Sequence, residues 1–194
     1  MDILTKEFYQ RDTLIVAREL IGKKLVRIID GNKLIGIISE TEAYRSDDPA
    51  SHCFIGKTDR NRSMFGPVGH AYVYISYGIH YCFNIVSRDI YKYPAGGVLI
   101  RAVIPELGLD LIKLNRNIEN KKIKNEDLCN GPAKFTQAFA ITKEYDSIDL
   151  TNEKSNLYVL NNDYVQDQFI LNTKRIGISV AKEKLWRYKL INYK

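Results

Sequence analysis

Residues 71–86 read AYVYISYGIHYCFNIV, and no other stretch restricts the fold as strongly. Val73 and Ile75 alternate with Tyr72 and Tyr74. Past Tyr77 and Gly78 the alternation resumes, with Ile79, Tyr81, Phe83 and Ile85 against His80, Cys82 and Asn84. Successive strand residues face opposite sides. The pattern therefore predicts two antiparallel strands with one core face and one face of hydroxyls, an imidazole and an amide. Gly78 can take the positive φ of a tight turn. Tyr77 then stands at the tip, and an aromatic ring exposed there needs a partner.

A second hairpin precedes it. KLVRIID and KLIGIISETEAY flank Asp30, Gly31 and Asn32, a strong turn signal. If the second strand stays regular, Glu40, Glu42 and Tyr44 share one face, and Ile35, Ile37 and Ala43 share the other. Upstream, Asp12 or Thr13 can cap a short helix carrying Leu14, Ala17, Leu20 and Ile21, with Gly22 as its stop. GGVLIRAVIP (Gly96 to Pro105) reads as a strand buried on both faces except at Arg101. A buried arginine requires an anion or several acceptors. NGPAKFTQAFAI (Asn130 to Ile141) reads as a helix with Pro132 at its first position. NRNIENKKIKNED (Asn115 to Asp127) reads as a solvated connection inside one domain. No internal repeat appears in the coarse alternation of helices with antiparallel strand pairs.

The chain has 194 residues, enough for one domain with a real core. Its N-terminus, MDILTKEFYQ, lacks the apolar run of a signal peptide, and no apolar stretch is long enough to span a bilayer. The expectation is a cytoplasmic protein without a membrane partner. Cys53, Cys82 and Cys129 are odd in number and unpaired in spacing, so they read as buried thiols. With His52, His70 and His80 they form no metal-ligand pattern, so neither a metal nor a cofactor is expected. Charge is unevenly placed. Lys174, Arg175, Lys182, Lys184, Arg187, Lys189 and Lys194 face one acid, Glu183, and this segment carries the whole chain's net charge of +6. A localised basic patch suits a polyanion, although a solvated tail would show the same composition.

Singly these features are ordinary: a strand-end glutamate is usually a surface charge, and a tyrosine pair is usually packing. Together they describe aromatic walls for a flat heterocycle, a carboxylate, an arginine and a basic approach surface. In order along the chain stand ETEAY (Glu40 to Tyr44), His52, RNRSMF (Arg60 to Phe65), YVYISYG (Tyr72 to Gly78), Asn84, LIRAVIP (Leu99 to Pro105) and LCNGPAKFTQAFAI (Leu128 to Ile141). This series resembles the 3-methyladenine DNA glycosylase family of the alkyladenine (N-methylpurine) type, from about Phe8 to Tyr188. The resemblance implies a single mixed α/β (α+β) domain over residues 1–194, around a curved antiparallel sheet. It also implies a protruding hairpin that inserts into DNA, in an architecture shared with the C-terminal domain of methionyl-tRNA formyltransferase.

It implies roles as well. Glu42 matches the family's general base, and Arg101 the arginine that holds the water with it. Tyr44, His52, Tyr74 and Asn84 match the pocket for a flipped base: the tyrosines stack, His52 contacts the base edge and Asn84 helps exclude guanine. Tyr77 matches the residue inserted into the duplex. His80 departs from the aromatic or apolar residue often found there in the family. The implied partner is double-stranded DNA bearing damaged purines, bound by a monomer at the nucleoid or in a nucleus. The physics is coherent. Extruding a nucleotide costs a few kcal/mol, and stacking on aromatics returns roughly 1–3 kcal/mol per base. Positively charged alkylpurines gain cation–π attraction. A carboxylate about 4 Å from the sugar cation contributes on the order of 4 kcal/mol at an effective dielectric near 20. Glu40 reads as a structural or supporting acid. No lysine stands where a Schiff base would need it, so a monofunctional enzyme that leaves an abasic site is expected. The rival readings are a non-catalytic nucleic-acid-binding module of the same fold and a hydrolase of free nucleosides. Glu42 with Arg101 argues against the first. The basic segment and Tyr77 argue against the second.

Overall fold

Residues 2–192 are described by a computed structural model. Two short helices, α1 (Lys6–Tyr9) and α2 (Thr13–Glu19), lead into the first hairpin, β1 (Lys24–Ile29) and β2 (Asn32–Arg45). The Asp12 carboxylate caps α2 by accepting from the Leu14 N–H at 2.8 Å. Asp30 and Gly31 both take positive φ, 48° and 79°, as the turn chemistry of Asp-Gly favours. The tyrosine-rich hairpin follows as β3 (Ala71–Ser76) and β4 (His80–Val86), then β5 (Gly96–Leu107), α3 (Leu109–Asn115) and α4 (Pro132–Ala138). Pro132 opens α4, where its missing N–H leaves no helical bond unmade. Three short strands, β6 (Leu157–Leu160), β7 (Ile170–Thr173) and β8 (Arg187–Leu190), complete the structure.

All the strands belong to one antiparallel sheet ordered β3-β4-β5-β2-β1-β6, with β8 pairing to both β2 and β7. Helices pack on its core face. Leu25, Leu34, Ile38, Phe83, Ile100, Phe135 and Phe139 are wholly buried there. Each such side chain contributes about 1.5–3 kcal/mol relative to exposure. Gly36 permits a close approach, since a Cβ there would meet Val103 Cγ2 at 2.9 Å and the Phe139 ring at 3.1 Å. The stretch from Asn115 to Asp127 is mostly solvated as expected, except that Ile118 turns into the core, and Leu128 and Cys129 just after it are wholly buried.

One irregularity decides where the chemistry lies. In the β2–β5 ladder Ile38 pairs with Val103, Glu40 with Ala102 and Thr41 with Ile100. Ser39 and Arg101 are thus left unpaired, one bulged residue on each strand. Before the bulge Leu34 and Ile38 face the core. After it Thr41 and Ala43 do, with the Thr41 hydroxyl donating to the Ala17 carbonyl of α2 at 2.8 Å. A regular strand would have placed Ala43 with Ile35 and Ile37. The bulge corrects that grouping: Ala43 lies on the face of Leu34 and Ile38. Glu40, Glu42 and Tyr44 still share a face, as expected, and it is the one opposite the core.

The β3–β4 hairpin keeps its expected alternation. Ala71, Val73, Phe83 and Ile85 are buried in the main core. Toward the tip the hairpin outruns that core, so Ile79 is 74% and Tyr77 88% exposed. Both Tyr77 and Gly78 have positive φ, 50° and 74°. The turn therefore demands a left-handed conformation from the aromatic residue as well as from the glycine. Among the described residues, no helix is long and apolar enough to cross a membrane, and no group of three or more His, Cys, Asp or Glu side chains could hold a metal ion. The three cysteines are buried free thiols.

Candidate active site

Glu42 is wholly buried, at 0% exposure. An ionised carboxylate without water is strongly disfavoured unless donors replace the lost hydration. Here three do so. The backbone N–H of Ile176 donates to Oε1 at 2.8 Å. The Tyr44 phenol donates to Oε2 at 2.8 Å, and Arg101 Nη1 lies 3.3 Å from the same oxygen. Arg101 is held in turn, its Nε donating to Glu40 Oε1 at 2.8 Å. Arg187 Nε of β8 donates to that same Glu40 oxygen at 2.8 Å. The buried arginine thus finds the several acceptors it requires. Glu40 is the acid that seats two guanidinium groups, in keeping with a supporting role. The bulge puts Arg101 in place, because it leaves Arg101 out of the ladder and turned toward the two carboxylates.

Beside this cluster opens a cleft of about 490 Å³. Tyr44, His52, Tyr74, Asn84 and Arg101 all line it, and Tyr77 stands at its rim. The His52 and Tyr74 ring centroids are 4.6 Å apart, and those of Tyr72 and Tyr74 5.4 Å. Burial is the main cause that pushes the phenols of Tyr44, Tyr72 and Tyr74 above their ordinary range, so all three remain protonated donors. Burial first, and then the Arg60 charge, lowers His52, which is therefore neutral at physiological pH. Its Nδ1 lies 2.9 Å from the Tyr72 hydroxyl. Asn84 Nδ2 donates to the Tyr72 carbonyl at 3.1 Å, which fixes the amide as a rigid wall. The structure thus brings the candidate site residues together: Arg101 and the four pocket residues line the cleft, Glu42 is buried behind Arg101 and Tyr44, and Tyr77 stands at the mouth.

Several participants carried no sequence signal. Tyr72 is the support behind His52 and not merely a member of the alternation. Residues 176–180 form a wall of the cleft although they belong to no strand or helix. Arg175 was one of the tail's cations by composition, yet it is buried against Asp48. That corrects the picture of a uniform basic surface. Arg175 and Lys184 pair with Asp48, and Arg187 pairs with Glu40. Lys174, Lys182 and Lys189 stay exposed, while Lys194 lies outside the described residues.

A buried carboxylate paired with a bulge-positioned arginine, behind an aromatic-walled cleft, suits a site for a flat heterocycle. The family model for methylpurine-DNA glycosylase (MPG) matches residues 7–194. The chain belongs to this family of DNA glycosylases, hydrolases of base-excision repair. A protein of Carboxydothermus hydrogenoformans is 47% identical over 192 residues, 99% of this chain and 97% of that relative. One of Agrobacterium fabrum is 48% identical over 185 residues, covering 95% and 87% of the two chains. One of Granulibacter bethesdensis is 45% identical over 181 residues, covering 93% and 81%. All three relatives bear the name "Putative 3-methyladenine DNA glycosylase".

Proposed function

We propose that this glycosylase receives a damaged purine flipped out of duplex DNA and hydrolyses its N-glycosidic bond with water activated by Glu42. The observation that carries this reading is the state of Glu42: wholly buried and held by Tyr44, Arg101 and Ile176, three residues that themselves line a cleft walled by aromatic rings. The substrates are purines of the 3-methyladenine, 7-methylguanine, hypoxanthine and ethenoadenine class. Alkylated purines are cationic and leave readily, and the rings of Tyr44 and Tyr74 favour them by cation–π attraction. As the bond breaks, positive charge grows on the sugar. Glu42 stabilises that charge and takes the proton of the attacking water, while Arg101 orients the water from the other side. In this reading the Tyr72 phenol donates to Nδ1 of neutral His52, the tautomer that leaves the proton on Nε2 as a donor for the edge of the base. The rigid Asn84 amide opposes the exocyclic amino group of guanine. Tyr77 fills the gap left in the duplex.

Among the described residues no lysine lines the cleft, which supports a monofunctional reaction ending at an abasic site. The test is base release from defined duplexes carrying each lesion, with the strand product analysed before and after alkali. Free base and a strand that breaks only after alkali are expected. Strand cleavage without alkali, trapped by borohydride, would contradict the monofunctional route. Release of none of these bases would contradict the substrate class.

A further inference from the structure

The segment that closes the cleft, residues 174–186 between β7 and β8, belongs to no strand or helix. Something other than a ladder must therefore hold it, and the contacts converge on Arg175 and its neighbour. Ile176 donates its N–H to Glu42 Oε1 at 2.8 Å. Arg175 Nη1 donates to the Ala43 carbonyl at 2.9 Å. The Arg175 guanidinium lies over the Tyr44 ring, 4.8 Å from its centroid. Glu42, Ala43 and Tyr44, consecutive on β2, are each gripped by residue 175 or 176. The guanidinium is itself buried and bidentate on Asp48: Nη1 donates to Oδ2 and Nη2 to Oδ1. It also lies 5.2 Å from the centroid of Trp186, the chain's one tryptophan. Both side chains of the pair are fully withdrawn from solvent.

We propose that the buried Arg175–Asp48 pair is a positioning device for Glu42, fixing at once the N–H on its Oε1 and the tyrosine on its Oε2. The inference rests on the reading of Glu42 as the general base. Carboxylate and guanidinium fit as planar forks, so the pair fixes orientation as well as charge. A lone buried pair is not a reliable source of stability. This one spans the two segments that must meet at the carboxylate. Arg175 and Asp48 touch neither the lesion nor the water, so they act through Glu42 and Tyr44. The groups facing Glu42 are Tyr44 and Glu40 on its own strand, Arg101 from β5, Tyr74 from β3, Cys82 from β4 and Arg187 opposite on β8. Arg175→Met also removes a cation, which by itself raises a nearby carboxylate, so the positioning is read from Asp48→Asn, where the lost anion alone would move the acid limb to lower pH and a lost donor on Glu42 moves it to higher pH.

The test compares Arg175→Met, Arg175→Lys and Asp48→Asn with the parent enzyme. Three quantities are measured: single-turnover base release against pH on a hypoxanthine duplex, binding to a duplex with a tetrahydrofuran abasic site, and the emission of Trp186. A hydrogen bond to a charged group corresponds to about 10- to 100-fold in rate. Release by Arg175→Met is expected to fall by that factor. Its acid limb should move to higher pH, because a carboxylate that loses a donor is protonated more readily. Binding to the abasic duplex should persist, Trp186 emission should shift, and Arg175→Lys should recover part of the rate. If Arg175→Met does not fold, Asp48→Asn and Arg175→Lys carry the same comparison, with melting confirming that they are intact. A folded variant with parental rate and acid limb would overturn the proposal. So would a rate loss matched by lost binding with the acid limb unmoved, the mark of a merely structural role. Glu42→Gln in parallel separates the two readings. If it is inactive while the Arg175 and Asp48 variants match the parent, only the positioning role fails. If it releases base at the parental rate, the general-base reading fails as well.

Discussion

At the scale of single residues the site is a problem in desolvation. Glu42 has no solvent contact, and its hydration is replaced by a backbone N–H, a phenol and a guanidinium. Tyr44 therefore has two separable functions, a ring that walls the cleft and a hydroxyl that donates to Glu42 Oε2. Tyr44→Phe keeps the first and removes the second. Single-turnover base release should fall by about 10- to 100-fold, the usual worth of a hydrogen bond to a charged group, while lesion-duplex binding holds. Weakened binding with an unchanged rate would confine Tyr44 to stacking. The sequence marked Glu42 and Glu40 alike as acids on one strand face. The resemblance separated them, and the structure gives the physical difference: Glu40 is occupied by Arg101 and Arg187, whereas Glu42 is held by Ile176, Tyr44 and Arg101 behind the cleft.

At the scale of elements the β3–β4 hairpin was the most legible part of the fold. Its period-two pattern and its glycine belong to adjacent residues, and local geometry is what local sequence records. The left-handed backbone of Tyr77 was not legible, because an aromatic residue carries no preference for it. An L-residue there costs roughly 1–2 kcal/mol relative to its favoured conformations. Tyr77→Gly should therefore leave the melting temperature unchanged or raise it, while weakening lesion-duplex binding by about tenfold or more through lost stacking. A marked fall in melting temperature, or unchanged binding, would remove the residue from the role of wedge. The paired bulges at Ser39 and Arg101 were invisible for another reason. A bulge is a property of two strands in register, and neither sequence alone contains it.

At the scale of the whole molecule, charge counted along the chain and charge displayed on the surface differ. Three of the cations between residues 174 and 189 are taken up by inner acids: Arg175 and the half-buried Lys184 on Asp48, and the half-buried Arg187 on Glu40. Arg175 and Asp48 lie 127 residues apart, so no local pattern could announce them. Composition thus found a basic segment but not its division into internal clamps and exposed charges. Lys174, Lys182 and Lys189 are the exposed ones. Replacing one that meets a phosphate by glutamine should reduce the slope of log affinity against log salt by about 1, with excision of bound substrate unchanged. A slope unaffected by all three replacements would assign them to solubility. Sheet, hairpin, clamps and surface charge converge on one carboxylate, and the most direct measurement addresses it. Glu42→Gln is compared with the parent for single-turnover base release and for binding on a lesion-bearing duplex. Loss of release with retained binding is the expected result, and release at the parental rate would contradict the role of Glu42.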